Sequence, residues 1–334
     1  MKLARIALTA TAVIAFATAA AAQQKNLRVG LSEDPDVLDP VLSRTGIASS
    51  ILMSVCDTLL NWDPQRNVVP GLAESWSWAP DNLSLTLNLR KGVVFHDGTP
   101  FNAEAVKVNL DRARLLPESA RKADIAQVKN VVVKDPYTVV LELTSPAVPL
   151  LTALTDRIGF ILSPKAIAEN GLNVGRNPVC TGPYKFVERV AQDRVVVERF
   201  PGYWDKDKYF LDRITFRIIV DASVRLANLQ SGDIDILERL EPGDLKRLQS
   251  DPKLRVVKID TGGYFSMVVN TSTTEPAGKT ILGQDARARE ALDWAIDRKA
   301  INDVVYDGQF IVGNQPAPPG SDRKSTRLNS SHGY

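Results

Sequence analysis

The fold is decided by Ile214-Thr215-Phe216-Arg217-Ile218-Ile219-Val220, then Asp221-Ala222-Ser223-Val224-Arg225-Leu226-Ala227-Asn228-Leu229-Gln230-Ser231-Gly232, then Asp233-Ile234-Asp235-Ile236-Leu237. The first run is β-branched and apolar, which predicts a strand. Asp221 is an N-cap, the helix it opens continues through Leu229, and Gly232 ends it. Ile234 to Leu237 is then a second strand. Strands alternating with a helix at this spacing place the chain in the α/β class with a mixed sheet. Asp233 and Asp235 alternate with Ile234 and Ile236 and are read as the solvated face of the second strand.

Working outward, Tyr184 to Arg189 and Arg194 to Phe200 are predicted to pair, and Leu27 to Leu31 is a strand that enters a Pro-punctuated loop, Ser32 to Pro40. Ile47, Ile51, Leu52, Val55 and Leu59 recur at helical spacing, with the start at Ser43 to Thr45. Between these parts lie two predicted hairpin regions. Leu83, Leu85, Leu87 and Leu89 alternate with polar residues, and Val131, Val133, Val139, Leu141 and Leu143 flank the turn Asp135-Pro136. Asn102 should cap a helix over 103–115 with Val106, Leu110 and Ala113 inward, and Ser163-Pro164 should open a helix that Gly171 ends. Downstream, Pro242 opens a helix, Leu254 to Ile259 is a strand, and Thr261-Gly262-Gly263 interrupts the pattern. Ala288, Ala291, Leu292, Ala295 and Ile296 fit an amphipathic helix packed against a core.

The chain has 334 residues, is 44% hydrophobic and 24% charged, and carries a formal charge of +2. This is the composition of a globular protein, not of a disordered, collagenous or multi-span membrane chain. No concentrated basic face is available for nucleic acid. Lys2 and Arg5, the apolar stretch Ile6 to Ala19 and Ala20-Ala21-Ala22 make residues 1–22 a secretory signal peptide, with no nearby cysteine for lipid attachment. A soluble, periplasmic mature protein is the expectation. Residues 322–334 show no apolar periodicity and are read as a non-native tail. Without Lys2, Arg5, Arg323, Lys324, Arg327 and Asp322, the formal charge of +2 becomes −2.

Catalytic chemistry is poorly supplied. His96 is the one histidine between the two ends, too few for a triad or a multi-histidine metal site, and is read as packing in the turn Phe95 to Pro100. Gly262-Gly263 lacks the residues of a phosphate loop. No metal site and no cofactor is expected. Two cysteines in an exported chain favour a disulfide between Cys56 and Cys180, two buried free thiols being the alternative. The bridge would tie the first α/β segment to its return and clasp the inserted hairpin region at its base.

Five segments carry a resemblance. Val69 to Trp76 (VPGLAESW), Leu89 to Phe101 (LRKGVVFHDGTPF), Thr181 to Phe186 (TGPYKF), Leu229 to Asp235 (LQSGDID) and Ala291 to Arg298 (ALDWAIDR) are similar, in order and spacing, to the family 5 extracellular solute-binding proteins of ABC importers. This is the dipeptide, oligopeptide and nickel-binding group. The resemblance implies a type II periplasmic binding fold, with two lobes closing about a hinge on a solute that is passed to a membrane permease without catalysis. It divides the chain into lobe I (23–60), a hairpin-rich inserted subdomain (61–178), the return to lobe I (179–261) and the start of lobe II (262–321). Relatives are longer by a domain-sized segment, so an incomplete second lobe is expected, and with it an aggregation-prone fragment; the full-length protein is expected to be a monomer.

By position, the resemblance assigns Ser43, Arg44 and Thr45 in the loop after the first strand, and Tyr264, Phe265 and Met267 in the crossover segment, to the ligand pocket. Arg44 would meet a carboxylate and the aromatics would wall a side-chain pocket, against the alternatives of a solvated loop charge and a core strand. Cys180 stands where many relatives have Gly, and Cys56 where an aromatic is common. The expected ligand is a peptide or peptide-like solute. A nickel chelate, glutathione, an opine or a sugar is the alternative within the class, and a secreted hydrolase the alternative outside it.

Overall fold

A computed structural model describes residues 25–258, 265–273 and 276–313. The signal-peptide assignment, Tyr264, the Thr261-Gly262-Gly263 break and the tail 322–334 lie outside them. Contacts divide the chain into one unit up to Glu238 and a second from Arg239.

In chain order the first unit contains β1 (Asn26–Leu31), α1 (Gly46–Val55), β2 (Leu60–Trp62), β3 (Val68–Pro70), β4 (Ala73–Trp78), β5 (Ser84–Leu89) and α2 (Ala103–Leu115). There follow β6 (Val128–Asp135), β7 (Thr138–Leu143), α3 (Pro149–Ala153), α4 (Pro164–Asn170), β8 (Tyr184–Val190), β9 (Arg194–Arg199), β10 (Arg213–Ile218), α5 (Ala222–Ser231) and β11 (Ile236–Leu237). A five-stranded mixed sheet has the order β11-β1-β10-β9-β8, with β1 parallel to both β10 and β11 and the other pairs antiparallel. The crossover read from residues 214–237 therefore brackets β1. Its helix starts at Asp221, whose side chain accepts from the Val224 N–H, and ends at Gly232 in the left-handed conformation.

The second sheet is antiparallel, β4-β5-β7-β6. Leu85, Leu87 and Leu89 of β5 and Val139, Leu141 and Leu143 of β7 are buried in one core with Val106, Leu110 and Ala113 of α2. The other core joins Leu31, the inner face of α1, Val195, Val197, Ile214 and Phe216. Both cysteines lie in this core and are joined, with Cα atoms 4.8 Å apart. Beside the bridge the backbone of Gly182 passes so close to α1 that an added Cβ would sit 2.5 Å from the carbonyl carbon and oxygen of Val55.

Four details depart from the sequence reading. α1 ends at Val55 because Cys56, held by the disulfide, is extended; Leu59 lies past the helix and is buried in the core of the antiparallel sheet. The strand expected over 254–259 is absent from 254–258, and Ile259 lies outside the described residues. Asp235 is not simply solvated: it accepts from the backbone N–H of Arg28 at 2.8 Å and from its guanidinium at 2.8 and 3.0 Å, which pins β11 to β1. Leu83 lies outside β5, in the turn before it, and is 40% exposed.

The second unit holds α6 (Leu245–Gln249), α7 (Ile281–Gln284), α8 (Ala286–Ala295) and α9 (Arg298–Val305). α8 forms over Ala288, Ala291, Leu292 and Ala295 as the periodicity places it, but Ile296 is extended past its end and none of the helix's residues is buried. Its amphipathic pattern specifies the helix; a core covering its apolar face is not found among the described residues.

Candidate functional site

The loop between β1 and α1 is built from charge. Asp36 Oδ1 accepts from the Val37 N–H at 2.8 Å and from the hydroxyls of Ser43 and Thr45 at 3.0 Å each, while Oδ2 accepts from the Arg44 N–H at 2.6 Å. Burial pushes the Asp36 carboxyl up, but these four donors outweigh it and hold it below the ordinary carboxylate range. The Arg121 guanidinium donates to the Ser43 carbonyl at 3.1 Å; that of Arg157 donates to the Thr45 carbonyl at 2.9 Å and to the Ser49 hydroxyl at 2.6 Å. Thr45 also caps α1 through the Ala48 N–H. Arg189, on β8, donates to the carbonyls of Pro35 and Asp36. Ser43 is buried and Arg44 is exposed. Among the described residues the Arg44 guanidinium has no hydrogen-bond or ion-pair partner.

Within the same loop, Asp39 forms a buried bidentate pair with Arg112 at 2.6 and 2.9 Å, which locks the loop to α2. Asp39 also accepts from the Val41 N–H, so both charges are hydrogen-bonded as burial requires.

His96 packs where expected, and also acts as a strut. The Cys180 N–H donates to Nδ1 at 3.3 Å, and the proton on Nε2 faces the Gly182 carbonyl at 3.0 Å. Burial pushes the ring down to about 4, against the pull of the Gly182 carbonyl. On the far side of the disulfide, Asp57 accepts from the Tyr203 hydroxyl at 2.9 Å and from Trp204 Nε1 at 3.0 Å. Burial raises its carboxyl to about 6 despite those donors, and Arg90 stacks 4.1 Å above the Trp204 ring. These groups hold the first unit's junction together.

Of the residues assigned to the pocket, Ser43, Arg44 and Thr45 form one fixed loop in the first unit. In the second unit Phe265 is 79% exposed and stacks on Tyr306 at 5.6 Å, and Met267 is 63% exposed; Tyr264 lies outside the described residues. Asp36, Arg121 and Arg157 were missed by sequence reasoning. Asp36 falls in the Pro-punctuated loop Ser32 to Pro40 with no pattern to mark it, and the two arginines act across 78 and 112 positions, which no local pattern reports. Among the described residues no group of three metal-ligating side chains occurs, and no helix is long and apolar enough to cross a membrane.

Residues 67–331 match the bacterial extracellular solute-binding proteins, family 5 (middle region), and the chain belongs to that family. It is 32% identical to the glutathione-binding protein GsiB of Pectobacterium atrosepticum over 288 residues, covering 85% of this chain and 54% of that protein. The chain thus spans about half the length of the curated relatives it matches. NikZ from Campylobacter jejuni, solved in complex with Ni(L-His), superposes with a TM-score of 0.79 at 24% identity, covering 88% of this chain and 57% of NikZ. The periplasmic binding protein DppA from Helicobacter pylori, solved with the peptide STSA, gives 0.75 at 25% identity over 88% of this chain and 60% of DppA. The fold is that of the two-lobed periplasmic binding proteins.

Proposed function

We propose that this protein is a periplasmic solute-binding protein, exported by residues 1–22, that captures a peptide-type ligand and delivers it to the permease of an ABC importer without bond chemistry. The observation that carries this reading is the Ser43-Arg44-Thr45 loop, whose backbone is fixed at every residue while the Arg44 guanidinium stays unpaired. An unpaired guanidinium carried on a fixed backbone can meet a carboxylate bidentately, and a peptide always offers at least one. Glutathione, the ligand named for relatives above 30% identity, is a carboxylate-bearing tripeptide and the first solute to try.

Binding without catalysis is supported by how the nucleophile-like groups are used. Both ring nitrogens of His96 are committed to the backbone of Cys180 and Gly182, and the buried Ser163 hydroxyl donates to Asp97 at 2.6 Å while capping α4. The test is incubation with glutathione, dipeptides and a tetrapeptide, followed by mass spectrometry of the retained and free fractions. Intact retained peptide supports the reading; cleaved products overturn it, and retention of Ni-histidine or an opine in place of any peptide reassigns the ligand.

A further inference from the structure

Four donors converge on one carboxylate in the candidate loop, three of them from consecutive residues. Asp36 takes the Ser43 hydroxyl, the Arg44 N–H and the Thr45 hydroxyl, and its own backbone is held from the sheet side by Arg189. Its acceptors are therefore occupied by the loop, which leaves the neighbouring Arg44 guanidinium unneutralised by direct contact. Thr45 passes the restraint on to α1, because the hydroxyl that donates to Asp36 also accepts from the Ala48 N–H at 3.4 Å. Arg121 and Arg157 hold the carbonyls of Ser43 and Thr45. The Ser43–Arg44 peptide unit is thus held at its N–H by the Asp36 carboxylate and at its carbonyl by Arg121, Arg157 holds the carbonyl of Thr45, and the Arg44 side chain makes no bond among the described residues.

We propose that Asp36 is the positioning residue of the ligand-reading loop: by accepting from Ser43, Arg44 and Thr45 in succession it fixes the backbone that presents Arg44 as a preformed contact for an anionic group of the solute. The inference rests on the proposed function only for the identity of what Arg44 meets; the positioning stands on the loop itself. Preformed order matters because a loop ordered only on binding would subtract its ordering cost from affinity.

Asp36→Asn separates the bonds. Oδ1 keeps Val37, Ser43 and Thr45, while an NH2 group replaces the oxygen that takes the Arg44 N–H. The assay is residue-resolved amide hydrogen exchange of the whole chain, together with calorimetric titration by reduced glutathione. Exchange at Arg44 should accelerate by about tenfold or more, the scale of a lost charge-assisted bond, while Phe216 in β10 is unmoved. Unchanged exchange at Arg44, or equal acceleration at both amides, overturns the positioning role. Ser43→Ala removes one donor, should give the same local pattern at smaller amplitude, and serves where Asp36→Asn yields no folded protein; a flat result there is equally contrary.

In the titration Asp36→Asn should weaken glutathione about tenfold with Arg44 present and have no further effect in an Arg44→Ala background. Equal losses in both backgrounds contradict presentation through Arg44. If Arg44 exchange responds but no variant, nor the parent chain, binds glutathione, the positioning of the loop holds and the ligand reading fails.

Discussion

Two buried groups on either side of the disulfide are set to oppose each other in acid, and Asp57→Asn separates them. His96 is held neutral, pushed from 6.5 to about 4, so its contribution is complete above 6.5 and is lost as pH falls towards 4. Asp57 is raised from 3.8 to about 6, so its contribution is present below 3.8 and is lost as pH rises through 6. Each displacement corresponds to about 3 kcal/mol across the window. The two slopes have opposite sign over nearly the same range and largely cancel in the parent protein, while the depressed carboxylates of Asp36 and Asp97 act below it. Replacing Asp57 by Asn leaves the His96 slope alone. The variant should lose about 3 kcal/mol between pH 6.5 and pH 4, a fall of about 1 M in urea midpoint for a slope near 3 kcal/mol per molar. Urea titrations at pH 4.5, 5.5 and 6.5 read this directly, with Trp204 beside the altered residue as the fluorescent reporter. The pH slope is the quantity to compare, because the new amide also faces the Trp204 N–H and shifts stability equally at every pH. A variant whose slope matches the parent's refutes the opposition.

Other consequences follow from the same junction. Replacing both Cys56 and Cys180 by Ser releases a 124-residue span, which chain entropy places at about 4–5 kcal/mol; calorimetry should show Tm lower by about 10 °C or more. Arg112→Met leaves Asp39 buried and uncompensated and should cost about 3–5 kcal/mol in denaturant titration, whereas adding Asp39→Leu should restore most of it. Gly182→Ala forces a Cβ against the Val55 backbone and should destabilise by more than about 2 kcal/mol, while Gly98→Ala, a positive-φ position with nothing within 4 Å, should cost about 1 kcal/mol by the same measurement.

Legibility in the sequence followed the range of the interaction. Caps and stops act within one turn, so Asn102, Ser163, Asp221, Gly171 and Gly232 all mark element ends where the residues alone place them. Period-two burial of Leu85, Leu87 and Leu89 is likewise a property of one strand. Leu59 and Asp235 misled because their helix or strand periodicity is overridden by partners far along the chain: the disulfide that ends α1 at Cys56, and Arg28 across the sheet. The candidate loop shows the same limit. Arg44 and its neighbours were located by likeness to a family, but what fixes them is Asp36 with Arg121 and Arg157, and the latter two reach the loop only once α1 and the inserted hairpin region have folded side by side.

On the function proposed above, Arg44, carried on a fixed backbone, meets a carboxylate of a peptide solute that the protein leaves intact. Calorimetric titration of the parent and of Arg44→Ala with reduced glutathione, with the ligand recovered afterwards by mass spectrometry, tests it most directly. One-to-one binding of intact tripeptide by the parent is expected, with a loss of about 10- to 100-fold in Arg44→Ala, the scale of a charge-assisted contact. Equal affinity in the two proteins, no binding to the parent, or recovery of cleaved ligand contradicts it.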